Sequence, residues 1–560
     1  MLASLLLAAA AQVGVADDLT PAYPDTAFAD ARPRMIMGPI RSHTTQTARG
    51  MRTAIHVYVQ AADGEEVTLA VRSVEHADRS PAVRIARLHA VPVEENTGLT
   101  SRTEQFEGVE NPHVIRRAPF EVFDPIEPLP QEQMKNITQA SARGAQGGVA
   151  FRLEWAPDQA GDQHLGIMVS AGEDREDFRW HVIVHDLELP PRRDWNFAYT
   201  NWFSPDEIAS RHDLEAWSPA FWPMLRKYAH LMAAGGQDTF WLRWQDFFSQ
   251  APGGRWVLDH DRLERYIRTF LDAGFHWIEG APIASRPNGD WSQDWLELRF
   301  GKMPATSQKG QQALRQVTRQ LRSAFRTNDW SRQWIQHIAD EPTDVNAADY
   351  AKLAGMLRKE LPGVAIVEAT MTRELAGAVD IWCPQVHKYQ QNRDFFLERE
   401  AAGDIVWTYT CLVPGGPWLN RLLDQERLRP VYLGWAGAHF GTSGFLHWGL
   451  NHYKCEDPFA RSVVDHPAQP DTTNKLPAGD THIVYPGPEG PWSSTRFEAH
   501  RIGLEDLALL NLLREHDPQA TDQLIGQVFR GYDDWEPSVE TYRATRAQLM
   551  AALAGRNSAQ

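Results

Sequence analysis

The sequence predicts a multidomain chain: an N-terminal antiparallel β-sandwich, then a (β/α)8 barrel of the TIM type, then C-terminal helices. Three observations predict it. Residues 34–189 fall into short alternating runs broken by turn residues, such as Thr53-Ala54-Ile55-His56-Val57-Tyr58-Val59, Val67-Thr68-Leu69-Ala70-Val71 and His181-Val182-Ile183-Val184-His185. A period of two puts one face of each strand on a core. After Pro190-Pro191-Arg192-Arg193 the texture changes to short apolar segments alternating with helical ones, which is the mark of βα units and a parallel sheet. The connections that follow those segments are long and rich in Gly, Pro and Trp, as where one end of a scaffold carries function on its loops.

Length and composition bound the possibilities. A chain of 560 residues exceeds one ordinary core. With 42% hydrophobic and 23% charged residues it reads as a soluble globular protein. A net charge of -17 argues against nucleic acid or an anionic membrane surface as partner. The 21 Trp serve either as large core side chains or as platforms for sugar rings, and composition alone does not separate the two. Cys383, Cys411 and Cys455 leave at least one thiol unpaired and have no metal-ligand spacing.

Taken in order, residues 1–16 read as a signal peptide: a Leu/Ala run ending in Gly14-Val15-Ala16 before Asp17-Asp18, although without a basic start. The run is too short to span a bilayer, and no other membrane segment is present. The expected location is therefore periplasmic or secreted. The sandwich is expected over 17–190, the barrel over 191–515 and the terminal helices over 516–560. Eight barrel strands are expected at 196–203, 238–242, 276–283, 334–341, 364–370, 380–385, 404–411 and 444–451. The clearest helices are 262–271 and 311–325, with apolar residues at helical spacing. The expected rim loops are 245–256, 284–307, 413–422 and 452–492.

The fourth strand carries the sharpest feature, Trp334-Ile335-Gln336-His337-Ile338-Ala339-Asp340-Glu341-Pro342. It ends in two adjacent acids and a proline that cannot continue a ladder. Pro342 is expected to bias Glu341 toward extended geometry, turning both acids outward. Other polar residues at expected strand ends are Asn201, Arg243, Glu279, Glu368, Gln385, Tyr409, Trp448 and Asn451. No phosphate-cradling loop, dinucleotide fingerprint or Gly-x-Ser-x-Gly elbow follows a strand. His447 and His452 make no zinc motif, so neither metal nor cofactor is expected. Carboxylate acid–base chemistry remains, and glycoside hydrolysis is its common use on this fold. Partners across a scissile bond normally sit on different strands; neighbours on one strand tip can instead divide the work on a 2-acetamido sugar.

Several further blocks accompany Asp340-Glu341-Pro342: Asp380-Ile381-Trp382-Cys383-Pro384-Gln385, Trp407-Thr408-Tyr409-Thr410-Cys411, Pro417-Trp418-Leu419-Asn420-Arg421, Gly444-Phe445-Leu446-His447-Trp448-Gly449-Leu450-Asn451, and the segment from Arg496 to Asp506. Together, over about residues 195–513, they resemble glycoside hydrolase family 123. The resemblance implies an exo-acting β-N-acetylgalactosaminidase with a sandwich ahead of a barrel, working by substrate-assisted retention on a glycan or glycoconjugate. It implies Glu341 as general acid/base and Asp340 as the residue orienting the acetamido group. Tyr409 is then expected at the acetamido oxygen and Trp448 under the sugar, with Asn451, Gln385, Glu279 and Trp382 as further sugar contacts. Some members carry a second sandwich after the barrel, where this chain has helices. Two other readings stand beside this one. In one, a glycosidase acts on a non-acetamido sugar with Glu279 or Glu368 as nucleophile. In the other, the protein binds carbohydrate without activity, which the intact acid pair disfavours.

Overall fold

The structure, a computed structural model, describes residues 12–29, 41–74 and 80–557. Seven strands form one sheet in the order Val13–Asp17, Thr53–Gln60, Gly148–Trp155, Val83–Val93, Phe120–Pro128, Gly490–Ser494, Tyr485–Gly487. Six form another: Arg41–Arg49, Asp174–Glu188, Gly161–Ala171, Glu66–Ser73, Ile137–Arg143, Glu132–Met134. Alternation decides what lies between them. Ile55, Val57 and Val59 of the first sheet share a buried cluster with Leu69, Val71, Ile167, Val169 and Trp180 of the second.

Three features depart from the sequence reading. Arg41–Arg49 pairs parallel with Asp174–Glu188, so the sandwich is not purely antiparallel; with so much chain between them, no hairpin constrains their direction. Residues 485–494, most of them within the rim loop expected over 452–492, instead extend the seven-stranded sheet, with Ser493 and Ser494 paired to Ile126 and Pro125. Val13–Asp17 pairs antiparallel with Thr53–Gln60, so the expected cleavage after Ala16 falls inside a strand. The apolar run of residues 1–11 lies outside the described residues.

The seven-stranded sheet is buried on both faces at Thr53–Gln60 and Gly148–Trp155. Its second face meets the helix Thr495–His516, whose Arg496 forms a fully buried ion pair with Asp124 at 2.9 Å. That helix crosses Leu428–Phe440 at two glycines: a Cβ on Gly434 would lie 2.0 Å from the Gly503 carbonyl oxygen. The helix Val539–Asn557 reaches both halves of the protein, Arg543 holding Asp17 at 2.9 Å and Arg546 holding Asp506 at 2.6 Å.

The parallel strands follow the expected sites: Ala198–Asn201, Thr239–Leu242, Trp277–Gly280, Trp334–Gln336, Ala365–Thr370, Ile381–Pro384, the broken seventh Ile405–Val406 and Thr408–Thr410, and Gly444–His447. The second through the first half of the seventh form one parallel sheet; the seventh's second half, the eighth and the first form another. The isolated pairing of Gln385 with Tyr409 joins the sixth strand to the seventh's second half. Between the first and second strands, Asp238 donates its N–H to the Tyr199 carbonyl at 3.3 Å and accepts the Tyr199 N–H at 2.9 Å. Helices fall between most successive strands, and their starts are legible. Asp259 caps His260–Leu271 by accepting the Arg262 N–H, and Ser307 caps Gln308–Asn328 by accepting the Gly310 N–H. Leu314, Val317, Leu321 and Phe325 form the buried stripe of the second helix.

Candidate active site

The regular ladder of the fourth strand ends at Gln336, and Ala339 adds one bridge to Ala284. What carries the chain onward to the two acids is a buried charge cluster. His337 is fully buried between two carboxylates, its Nδ1 2.8 Å from Glu368 and its Nε2 2.8 Å from Glu279. Burial alone would lower its pKa, but the charges and hydrogen bonds of Glu368 and Glu279 outweigh burial and push it up to about 10. His337 is therefore an imidazolium at neutral pH. Glu368 also accepts the backbone N–H groups of Ile338 and Ala339 at 2.9 and 3.0 Å and the Tyr350 hydroxyl at 3.0 Å. Glu279 accepts Trp202 Nε1 at 2.8 Å and the Thr200 hydroxyl at 2.5 Å. Both carboxylates are fully buried, and Glu279, expected as a sugar contact, is engaged by His337, Trp202 and Thr200.

Asp340 and Glu341 follow directly and are half-buried rather than sealed. Glu341 has φ 49°, in the left-handed region, against the extended geometry expected before Pro342. The cause is a clamp: Arg286 Nη1 donates to the Asp340 and Glu341 carbonyl oxygens at 3.1 and 2.6 Å. Such backbone persists only where the surroundings over-determine it, and these positions gather at functional sites. The Tyr409 hydroxyl donates to Glu341 Oε1 at 2.5 Å. Thus Tyr409, expected at the substrate's acetamido oxygen, touches the acid pair itself.

The electrostatics of the pair are uneven. Burial, then the charges of Glu341 and Glu368, push Asp340 up to about 7, while His337 and Arg299 oppose the rise. Burial also raises Glu341, but the Tyr409 hydrogen bond and the cations Arg286 and Arg102 counter it. The charge on each of these neighbouring carboxylates raises the cost of ionising the other, so they titrate as a pair.

The other expected contacts separate into two groups. Trp448 is half-buried and clusters with Tyr409, Trp202 and Cys411 at the strand ends, its Nε1 donating to Asp480 at 3.0 Å. Gln385 lies buried beside Tyr409. Asn451 and Trp382 are elsewhere. Asn451 is fully buried and consumed by the Ser204 backbone, accepting its N–H at 2.8 Å and donating to its carbonyl at 3.1 Å. Trp382 points away from the strand-end cluster because alternation sends Ile381 and Cys383 inward. It donates to Asp404 at 2.9 Å and packs edge-on against Phe395 and Phe396.

Three residues of the site were not foreseen: Arg286, Asp480 and Arg102. Asp480 is buried, and burial pushes its carboxyl up to about 7 against the pull of the Trp448 N–H, Arg421 and Arg102. Arg102 comes from the sandwich. Its segment is seated on the loop after the seventh strand, where buried Asp424 accepts Thr97 N and Oγ1 at 2.7 and 2.8 Å, and Gly415 donates to Thr100 O at 2.6 Å. The sandwich thus contributes charge to the site through Arg102.

Residues 202–513 match the family model for the glycoside hydrolase 123 catalytic domain, more than half of the chain. The chain belongs to glycoside hydrolase family 123. A solved family 123 glycoside hydrolase from Clostridium perfringens, described for glycolipid glycan hydrolysis, aligns over 97% of each chain at 14% identity with a TM-score of 0.66. The shared architecture therefore spans the sandwich and terminal helices as well as the catalytic part. β-Glucuronidase 3 of Bacteroides uniformis aligns over 81% of this chain and 50% of its own at 9% identity, TM-score 0.29. That likeness is too loose to carry an argument. No curated protein sequence matches the chain. Within this family 123 glycosidase, Asp340 and Glu341 are the paired acids on the half-buried tip of the fourth strand. No helix among the described residues is long and apolar enough to cross a membrane.

Proposed function

We propose that this glycosidase is an exo-acting β-N-acetylhexosaminidase, taking β-linked N-acetylgalactosamine, and that the substrate's own acetamido oxygen is the nucleophile. One observation carries the reading: the accessible acids are neighbours on one strand tip, while the alternative nucleophiles Glu279 and Glu368 are locked onto His337. Adjacent carboxyls suit one face of a sugar better than two opposite faces of a bond.

In this reading Glu341 protonates the glycosidic oxygen as the acetamido carbonyl oxygen attacks the anomeric carbon. Asp340 accepts the acetamido N–H and stabilises the oxazolinium charge. Glu341, now a carboxylate, then deprotonates the water that opens the ring. The free site leans the other way, with Asp340 raised to about 7 and Glu341 supported by Tyr409 and two cations. Binding resolves this. A donated N–H and a developing positive charge at Asp340 favour its ionised form, so the shared proton moves to Glu341 as the substrate seats.

The deciding measurement compares matched 2-acetamido and 2-hydroxy aryl β-glycosides, with a 2-fluoro sugar as trap. Turnover confined to acetamido substrates is expected. Comparable rates, with an adduct on Glu279 or Glu368, would overturn the reading. Glu341→Gln should lose about 10²–10⁴-fold on unactivated glycosides and less on an activated aryl substrate. Asp340→Asn should lose turnover with little change in sugar binding. Glycolipid glycans ending in this sugar are the first natural substrates to try, given the glycans described for the Clostridium relative.

Two further features belong to the proposal. The eight parallel strands close as a (β/α)8 barrel, a reading supported by the Asp238–Tyr199 hydrogen bonds across the remaining seam. The protein is exported, with processing upstream of Val13, because residues 13–16 pair in the sandwich. N-terminal sequencing of the secreted protein checks this, and a mature end at Asp17 would contradict it.

A further inference from the structure

Trp291 is the one tryptophan among the large exposed hydrophobic residues of the described chain, at 49% exposure. Its ring is not loose. The Arg286 guanidinium stacks on it, with Cζ 3.7 Å from the ring centroid. The same guanidinium clamps the Asp340 and Glu341 carbonyls, so Trp291 stands one side chain away from the backbone of the acid pair. The loop that presents it is pinned at several points. Asn288 and Gly289 turn the chain at φ 54° and 70°. The Asp290 carboxylate accepts the Ser292 N–H and hydroxyl and the Gln293 amide at 2.8–2.9 Å. At the base, Ala284–Ser285 pairs with Glu297–Leu298, and Asp349 accepts the Leu296 N–H at 2.9 Å. An exposed aromatic ring held this firmly loses little freedom on binding.

We infer that Trp291 is the platform for the leaving-group sugar, its open surface taking the apolar face of a pyranose. The inference rests on the reading of Glu341 as the acid that protonates the leaving oxygen. Trp448 and Tyr409 come from the ends of the eighth and seventh strands, where they join one buried cluster; in the proposed function they face the sugar being released. Trp291 comes from the loop after the third strand, beside the acid's backbone and open to solvent, where the remainder of a glycan has to emerge. A tryptophan offers both the area and the partly polar edge that such a ring uses.

The test compares two substrates of one sugar that differ in leaving group: β-N-acetylgalactosaminyl fluoride, and the same sugar β-linked to galactose. For Trp291→Ala the ratio of kcat/KM for the disaccharide to that for the fluoride should fall about tenfold or more, and Trp291→Phe should restore most of it. An unchanged ratio overturns the inference: with both rates lowered, Trp291 acts only by bracing Arg286; with neither lowered, it has no role. If the wild-type enzyme turns over neither substrate, the proposed function fails and this inference falls with it, whereas wild-type turnover with an unchanged ratio sinks the platform alone.

Discussion

Replacing His337 by Gln tests the buried cluster beneath the acid pair. Glutamine can donate to one carboxylate but carries no charge, so Glu279 and Glu368 would face each other with their counter-ion gone. Removing one partner of a buried ion pair costs about 3–5 kcal/mol. The pKa gives an independent bound. His337 titrates at an ordinary 6.5 when unfolded and at about 10 when folded. A raised folded pKa contributes stability that is complete below pH 6.5 and is lost as pH rises through 10. Each pH unit in that window is worth about 1.4 kcal/mol at most, and the whole window about 5 kcal/mol. Thermal unfolding of wild type and His337→Gln at pH 6, 8 and 10 should show a large gap at pH 6 that narrows toward pH 10. Activity supplies a second readout, because His337 holds Asp340 down, so the alkaline limb of the pH profile should move upward in the variant. A gap in unfolding temperature that does not change with pH would refute the imidazolium.

Two further outcomes follow from the same geometry. Tyr409→Phe removes a donor to the Glu341 carboxylate, which raises its pKa; the acidic limb of kcat/KM against pH should shift to higher pH, and an unshifted limb would show that the hydrogen bond does not persist in solution. Asp124→Ala strands the fully buried Arg496 and should cost about 3–5 kcal/mol in unfolding experiments, while the folded fraction keeps its rate on an aryl substrate.

The fold was legible wherever one local period governs a segment. All eight parallel strands fall at their expected places because each is a short apolar run between polar breaks. The helices at 260–271 and 308–328 start at capping residues, Asp259 and Ser307, and carry apolar stripes. What escaped is non-local. The strands at 485–494 lie far along the chain from the sheet they join, and their two short pieces look like loop. The parallel pairing of Arg41–Arg49 has no hairpin to announce it. A tidy boundary at Pro190 was expected because composition changes there, yet Asp124 with Arg496 and Asp17 with Arg543 tie the parts across that boundary.

The site divides along the same line. Asp340 and Glu341 were visible because two acids and a proline interrupt a strand in consecutive positions. Tyr409 was placed at the site, but its bond to Glu341 was not foreseen, since sequence shows which strand end a side chain occupies and not what it faces across the sheet. Trp382 lies away from the strand-end cluster because a strand sends alternate residues to opposite faces, which puts it beside Phe395; Asn451 lies beyond its strand and is taken up by the Ser204 backbone, a partner far off in sequence. The Glu341 backbone shows how far tertiary structure overrides a local bias. Pro342 disfavours helical φ/ψ before it, but the two carbonyl bonds from Arg286 hold the residue at φ 49°. The residue that clamps the backbone of the acid pair thus lies 55 positions from Glu341 on another loop, and no spacing rule within a single chain reaches it.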